Sequence, residues 1–208
     1  MDVKEYIAER MSKVKFLGRW DYNVEVKDAS LKPYLNIEQW LVPKTAGRYQ
    51  KKRFGRGKIP IIERLIGRLM VPGHLGKKHK YTSYPASGKY YKNLRIVVKA
   101  FEIIEKRTGE NPIQVLVRAI ENAAPREEIT TFEAGGARYP KAVDISPLRR
   151  IDLAIRYIVW GAYHKSRNTP KKMYEALAEE IIKAANNDTG SYAIQKKLEL
   201  ERIASSSR

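Results

Sequence analysis

The sequence predicts a mainly α-helical fold: a bundle of about six helices with a protruding two-stranded β-hairpin and an extended basic N-terminal arm. Three observations carry this expectation. From residue 59 onward apolar residues recur at helical spacing in successive segments. Residues 125–146 break that period and place β-branched and aromatic types on both sides of Gly135-Gly136. Ahead of the helices, a glycine-broken stretch gathers most of the positive charge. Residues 1–58 thus read as an N-terminal extension and basic arm, and residues 59–208 as a helical core with its hairpin at about 128–143.

Near the N-terminus Trp20, Tyr22, Val24 and Val26 alternate with Asp21, Asn23, Glu25 and Lys27, the period of two of a half-buried strand. Leu31 to Val42, punctuated by Pro33 and Pro43, fixes no element. Ile62, Leu65, Ile66 and Leu69 begin a short helix, and Leu94, Val97, Phe101 and Ile104 form a second stripe. Ile113, Leu116, Ile120 and Ala123 form a third, and Leu148, Ile151, Ile155, Ile158 and Ala162 a fourth. Met173, Leu177, Ile181 and Ala184 make a fifth, and Tyr192 to Ala204 a charged sixth after Gly190. Such stripes are core faces rather than cofactor slots.

Three helix starts share one device, a capping side chain followed by proline: Asn111-Pro112, Ser146-Pro147 and Thr169-Pro170. The cap oxygen satisfies an orphan amide, and proline has no amide to orphan. Gln114 stands where a capping-box partner to Asn111 belongs.

Glu128 to Phe132 and Ala137 to Val143 read as the two hairpin strands. Pro140 cannot donate to a ladder, so it must occupy an outward-facing position. A lone ribbon is marginal unless it packs on something or projects toward a partner.

The 208 residues include 41 Lys or Arg against 23 Asp or Glu, a net charge of +18. An apolar share of 43% excludes a wholly disordered chain. No apolar run approaches the roughly 18 residues of a membrane span, and the charged start Met1-Asp2-Val3-Lys4-Glu5 lacks the apolar core of a secretory signal. The absence of cysteine removes disulfides, thiolate metal sites and cysteine nucleophiles together. An excess of this size points to a polyanionic partner.

The excess is local. Residues 41–100 hold 16 basic groups and 1 acidic group. One cluster is Arg48, Lys51, Lys52, Arg53, Arg56 and Lys58, interleaved with Tyr49 and Phe54, which can stack on bases. Lys77, Lys78 and Lys80 form a second, and Lys89, Lys92, Arg95 and Lys99 a third. Glycines 47, 55 and 57 make the first cluster a poor helix and a good arm along a phosphate backbone.

The search for catalysis nominates no acid, base or nucleophile. His74 and His79 lie in a Gly- and Lys-rich loop without acidic neighbours, and His164 ends a helix. Gly73-His74-Leu75-Gly76-Lys77-Lys78 lacks the spacing and hydroxyl residue of a phosphate-binding loop. Glu127-Glu128 face opposite sides of a strand, and Glu179-Glu180 sit among basic neighbours on a helix. No enzyme, metal or other cofactor is expected.

Several segments resemble the small-subunit ribosomal protein seven family in its archaeal and eukaryotic form. They are Thr45-Ala46-Gly47-Arg48-Tyr49, Pro60 to Leu65, Asn111 to Val115, Ala124 to Glu127, Ala142 to Arg150 and Ser191 to Lys197. The match spans about residues 45–208, most specifically Val143 to Arg150. Residues 1–44 are similar to the extension of the archaeal and eukaryotic members.

The resemblance implies six helices with a ribbon between the third and fourth. It also implies a non-catalytic cytoplasmic protein of the ribosome that binds the 3′ major domain of small-subunit ribosomal RNA and nucleates the subunit head. Its neighbours would be other small-subunit proteins, with the ribbon near exit-site transfer RNA and messenger RNA, and no membrane. Carried onto this sequence, the ribosomal RNA surface takes Arg48, Tyr49, Lys51, Lys52, Arg53, Arg56, Lys58, Lys77, Lys78, Lys80, Arg149 and Arg150. The third basic cluster adds Arg95, and the ribbon's contacts fall on Arg138, Tyr139 and Lys141.

The rival reading is a basic helical DNA-binding architectural protein, with Arg149, Arg150 and Arg156 on a recognition helix. An RNA-processing enzyme and a peripheral membrane protein are weaker rivals. The basic stretch has no wide apolar face beside it.

Overall fold

The computed structural model describes residues 14–75, 78–79, 82–83 and 85–207. Among these, six α-helices follow the apolar stripes: α1 (Ile61–Leu69), α2 (Tyr90–Thr108), α3 (Pro112–Ala123), α4 (Pro147–Ser166), α5 (Met173–Ala185) and α6 (Tyr192–Ser205). A short hairpin, β1 (His74–Leu75) with β2 (Lys78–His79), follows α1. The ribbon, β3 (Glu127–Ala134) with β4 (Ala137–Asp144), separates α3 from α4.

Every stripe residue of α1 is buried: Ile62, Leu65 and Ile66 completely, Leu69 at 1% exposure. At the centre α5 packs against α2, α3 and α4. Its buried face carries Ala176, Ala178, Ala184 and Ala185 beside Leu177 and Ile181, and small side chains let three helices approach one axis. The buried carboxylate of Glu180 ties the next helix on: it accepts from Ser191 Oγ at 2.7 Å, from Ala193 N at 3.2 Å and from Lys165 Nζ at 2.6 Å. Gly161 of α4 faces this junction, where an added Cβ would lie 2.7 Å from Tyr192 Cβ.

The helix starts behave unequally. Asn111 caps α3 as its sequence predicts, Oδ1 accepting from Ile113 N at 3.1 Å. Ser146 precedes α4 but makes no side-chain bond to the first turn. The expected start at Thr169-Pro170 is corrected: α5 begins at Met173, with the Glu175 carboxylate accepting from Lys172 N. The Thr169 hydroxyl donates instead to Lys165 O at 2.8 Å, so it belongs to the end of α4. Gln114 is likewise no capping-box partner.

What Gln114 does instead explains residues 20–28. Burial alternates there as a strand requires, with Trp20 and Tyr22 buried and Asp21, Asn23 and Glu25 exposed, yet no partner strand exists among the described residues. The side-chain amide of Gln114 takes the partner's place, accepting from Glu25 N at 2.8 Å and donating to Glu25 O at 2.9 Å. Glu121 accepts from Asp28 N, and Asn111 Nδ2 donates to Asp21 O. Polar side chains of α3 and of its cap thus satisfy an extended backbone that a sheet would otherwise complete. The segment also enters the core: Phe16 stacks on Trp20 at 5.8 Å and meets Phe101 of α2 edge-on at 6.0 Å.

In the ribbon, Gly135 and Gly136 both take positive φ, +59° and +80°, as the tight two-residue hairpin turn demands. Counted from that turn, bonded and non-bonded pairs alternate, and Pro140 opposite Thr131 falls on a pair whose amides point outward. The expectation for Pro140 holds. The root of the ribbon rests on α6, with Arg126 N donating to Glu201.

Candidate nucleic-acid interface

The basic arm is held at both ends and bare in the middle. At its entrance Lys44 lies over the Tyr91 ring at 4.9 Å, and the Tyr90 hydroxyl donates to Pro43 O. Glu63 of α1 accepts from both the amide and the hydroxyl of Thr45, at 2.9 and 3.0 Å. At its exit Asn36 Nδ2 donates to Lys58 O, and Ile61 N donates to Asn36 O. Between these anchors the chain runs through successive turns, Arg48 N to Thr45 O, Gln50 N to Gly47 O, Lys52 N to Tyr49 O and Gly55 N to Lys52 O. Gly55 is obligatory, since a Cβ there would stand 2.0 Å from Tyr49 O.

This path leaves Arg48, Lys51, Lys52, Arg53, Arg56 and Lys58 exposed and Tyr49 half-buried. Phe54 is 68% exposed, with the Arg53 guanidinium over its ring at 5.1 Å. An exposed aromatic covered by a cation offers a face for a base and a charge for the adjoining phosphate. Arg95 is exposed on α2, one turn beyond Tyr91 and therefore beside the arm's entrance.

The other expected residues scatter. Lys77 and Lys80 lie outside the described residues, and Lys78 pairs through its backbone in β2. Arg149 is paired: Nε donates to Glu128 Oε1 at 2.7 Å and Nη2 to Oε2 at 2.8 Å. Arg150 lies inside, 8% exposed, donating to Ser30 Oγ at 2.6 Å and to Asp28 at 3.0 Å. On the ribbon, register puts Tyr139 and Lys141 on one face and Arg138 on the other, 3.8 Å from Glu133. Tyr139 stands opposite Phe132, and both are more than half exposed.

Sequence reading missed a second basic surface, the cleft between α1 and α4. Its volume is about 390 Å³, and Arg56, Arg64, Arg68 and Arg156 line it with Glu63 and Asp152. Asp152 bridges two of these arginines, accepting from Arg56 and Arg64 at 2.8 Å each. Burial pushes Arg64 down and Asp152 opposes the shift. Burial, with Arg156 nearby, pushes Arg68 down to about 10. The signal in the sequence was the spacing of Arg64-Arg68 and Asp152-Arg156, one helical turn apart in each case.

No described helix is long and apolar enough to cross a membrane. Among the described residues no group of three His, Asp or Glu side chains is placed to hold a metal ion.

The family model for ribosomal protein S7p/S5e matches residues 32–208. The chain belongs to the ribosomal protein S7p/S5e family. It is also 62% identical over 197 residues to the "Small ribosomal subunit protein uS7" of Nanoarchaeum equitans (strain Kin4-M), a match covering 94% of this chain and 100% of that relative. The likeness to an archaeal member agrees with the archaeal and eukaryotic form that the sequence resembles. Members of the S7p/S5e family are structural ribosomal proteins and not enzymes.

Proposed function

We propose that this chain is a small-subunit ribosomal protein that binds the 3′ major domain of the subunit's RNA and nucleates assembly of the head. The arm is the principal contact, through Arg48, Tyr49, Lys51, Lys52, Arg53, Arg56 and Lys58, joined by Arg95 and by Lys77, Lys78 and Lys80 of the second basic cluster in the sequence. Residues 1–58 act as the RNA-facing extension and residues 59–208 as the scaffold. Neighbouring small-subunit proteins pack around that scaffold. The ribbon presents Tyr139 and Lys141 on one face and Arg138 on the other toward exit-site transfer RNA and messenger RNA.

The observation that carries this reading is the arm itself: tied down at Thr45 and Lys58, exposed between them, in a member of a ribosomal family. Preorganising the cations lowers the ordering cost of binding. Each phosphate that they neutralise releases a condensed counterion. Linking RNA segments that are distant in sequence then lowers the entropy cost of folding the RNA, with no turnover.

The test is reversal of Lys51, Lys52 and Arg53 to Glu. These side chains are exposed, so helix content by circular dichroism stays unchanged. Affinity for a head-domain RNA fragment falls by two orders of magnitude or more, roughly. Equal affinity of the unaltered chain for unrelated RNA of the same length, or for duplex DNA, would reject the specific reading.

A further inference from the structure

Two stretches of extended backbone flank one groove with their inner edges unused. In an extended chain the amide and carbonyl of one residue share an edge, and those of the next residue lie on the other. Gln114 takes both backbone groups of Glu25, so Val24 and Val26 turn theirs away from α3. Among the described residues neither valine's backbone meets a hydrogen-bond partner. On the second stretch Asn36 O accepts from Ile61 N at 3.0 Å beside a parallel bridge to Pro60. The backbone of Ile37 therefore lies on the opposite edge, again with no partner among the described residues. The groove has a volume of about 570 Å³ and is lined by Val24, Val26, Leu35 and Ile37, with exposed Lys32 beside them. Leu35 is buried, and the two valines and Ile37 are half-buried against the core.

Such edges select their occupant. Another extended peptide supplies donors and acceptors together at the strand repeat of about 6.8 Å. Phosphate oxygens can meet the amides but not the carbonyls beside them. The charge agrees. The exposed ionised groups of residues 20–38 are Asp21, Glu25 and Glu38 against Lys27 and Lys32, so the cationic excess of the arm does not extend here. Glu25 stands between the two valines, and a basic side chain is the favourable neighbour across a strand pair.

We propose that this groove takes an extended segment of a protein partner, added as a strand between Val24–Val26 and Ile37, apolar where it meets the two valines, Leu35 and Ile37 and basic opposite Glu25. This goes beyond the RNA-binding reading, because it assigns a face of the molecule to protein.

The experiment titrates the full chain with the capped heptapeptide Lys-Val-Lys-Val-Lys-Val-Lys and follows backbone amides by NMR. The amides of Val24, Val26 and Ile37 shift and exchange more slowly, at peptide concentrations up to about 1 mM. A peptide with Glu in place of each Lys binds about tenfold more weakly. A Lys-Val peptide with N-methylated valines cannot complete the edges and binds more weakly still. Val26→Pro removes one edge amide that bonds to nothing in the free chain, so circular dichroism is kept while peptide affinity falls about tenfold. A head-domain RNA fragment shifts the arm amides and leaves Val24, Val26 and Ile37 in place.

Silence of these three amides throughout the peptide titration overturns the proposal. So does equal binding of the N-methylated peptide, to the parent, which needs no variant to fold and would mean apolar contact without strand pairing. Equal binding of the Glu-Val peptide removes the basic partner. Protection of Val24 and Val26 by the RNA fragment would give this face to RNA instead. Failure of the parent to bind RNA at all, with the peptide result intact, would strike the function proposed above and leave this groove standing.

Discussion

The Arg149 guanidinium lies along the Glu128 carboxylate, Nε to Oε1 at 2.7 Å and Nη2 to Oε2 at 2.8 Å, joining the first turn of α4 to the root of the ribbon. The hydrogen bonds that Arg149 donates to Glu128 raise the Arg149 pKa above its ordinary value, with burial opposing. The pair is partly exposed, so its weight lies in aim more than in stability.

Glu128→Gln should therefore lower the unfolding free energy by less than about 1 kcal/mol. Amide exchange in β3 and β4 should accelerate while the six helices keep their protection. Unchanged ribbon protection would show that packing on α6 alone orients it.

Arg150 gives a pH signature. Burial alone would raise the Asp28 pKa, but hydrogen bonds from Ser30 and Arg150, with the charge of Arg150, outweigh it and hold the carboxyl below its ordinary value. A carboxyl depressed in this way stabilises the fold above the ordinary Asp value of about 3.9 and loses that contribution as the pH falls further. Arg150→Met should cost about 2 kcal/mol at neutral pH. Its melting temperature should also fall less steeply than the parent's below about pH 4. Parallel acid limbs in the two proteins would sink the assignment.

Gly55→Ala tests whether the arm works by shape. The new Cβ would collide with Tyr49 O and press on Lys52 Cβ, 3.3 Å away, so the turn must open. RNA affinity should fall about tenfold, about 1.4 kcal/mol, with no charge removed. Helix content should stay intact, and trypsin should cut after Lys51 and Lys52 sooner. Full retention of affinity would mean that the arm binds as a flexible polycation.

Periodicity reads well where one physical cause dominates. The stripes of α1 to α6 and the Gly135-Gly136 turn were legible because burial and positive φ each demand particular residues. Thr169 misled because its hydroxyl bonds backward to Lys165 O as readily as forward. Trp20 to Lys27 announced the correct burial but not the partner: the Gln114 side chain, 89 residues from Glu25, leaves no local trace. The exposed cations of the arm were legible as charge. Arg150 was not separable from Arg149 by composition, since only the fold turns one toward Asp28 and the other toward Glu128.

The docking of residues 16–28 also sets a timetable for the nascent chain. Phe16 and Trp20 leave the peptide exit first, yet Phe101, Glu105, Gln114 and Glu121, which receive this segment, follow some 80 to 90 residues later. At the usual pace of elongation that is a wait of roughly 5–20 s. During this interval two large aromatic side chains have no home, and a chaperone or the RNA itself has first access to them.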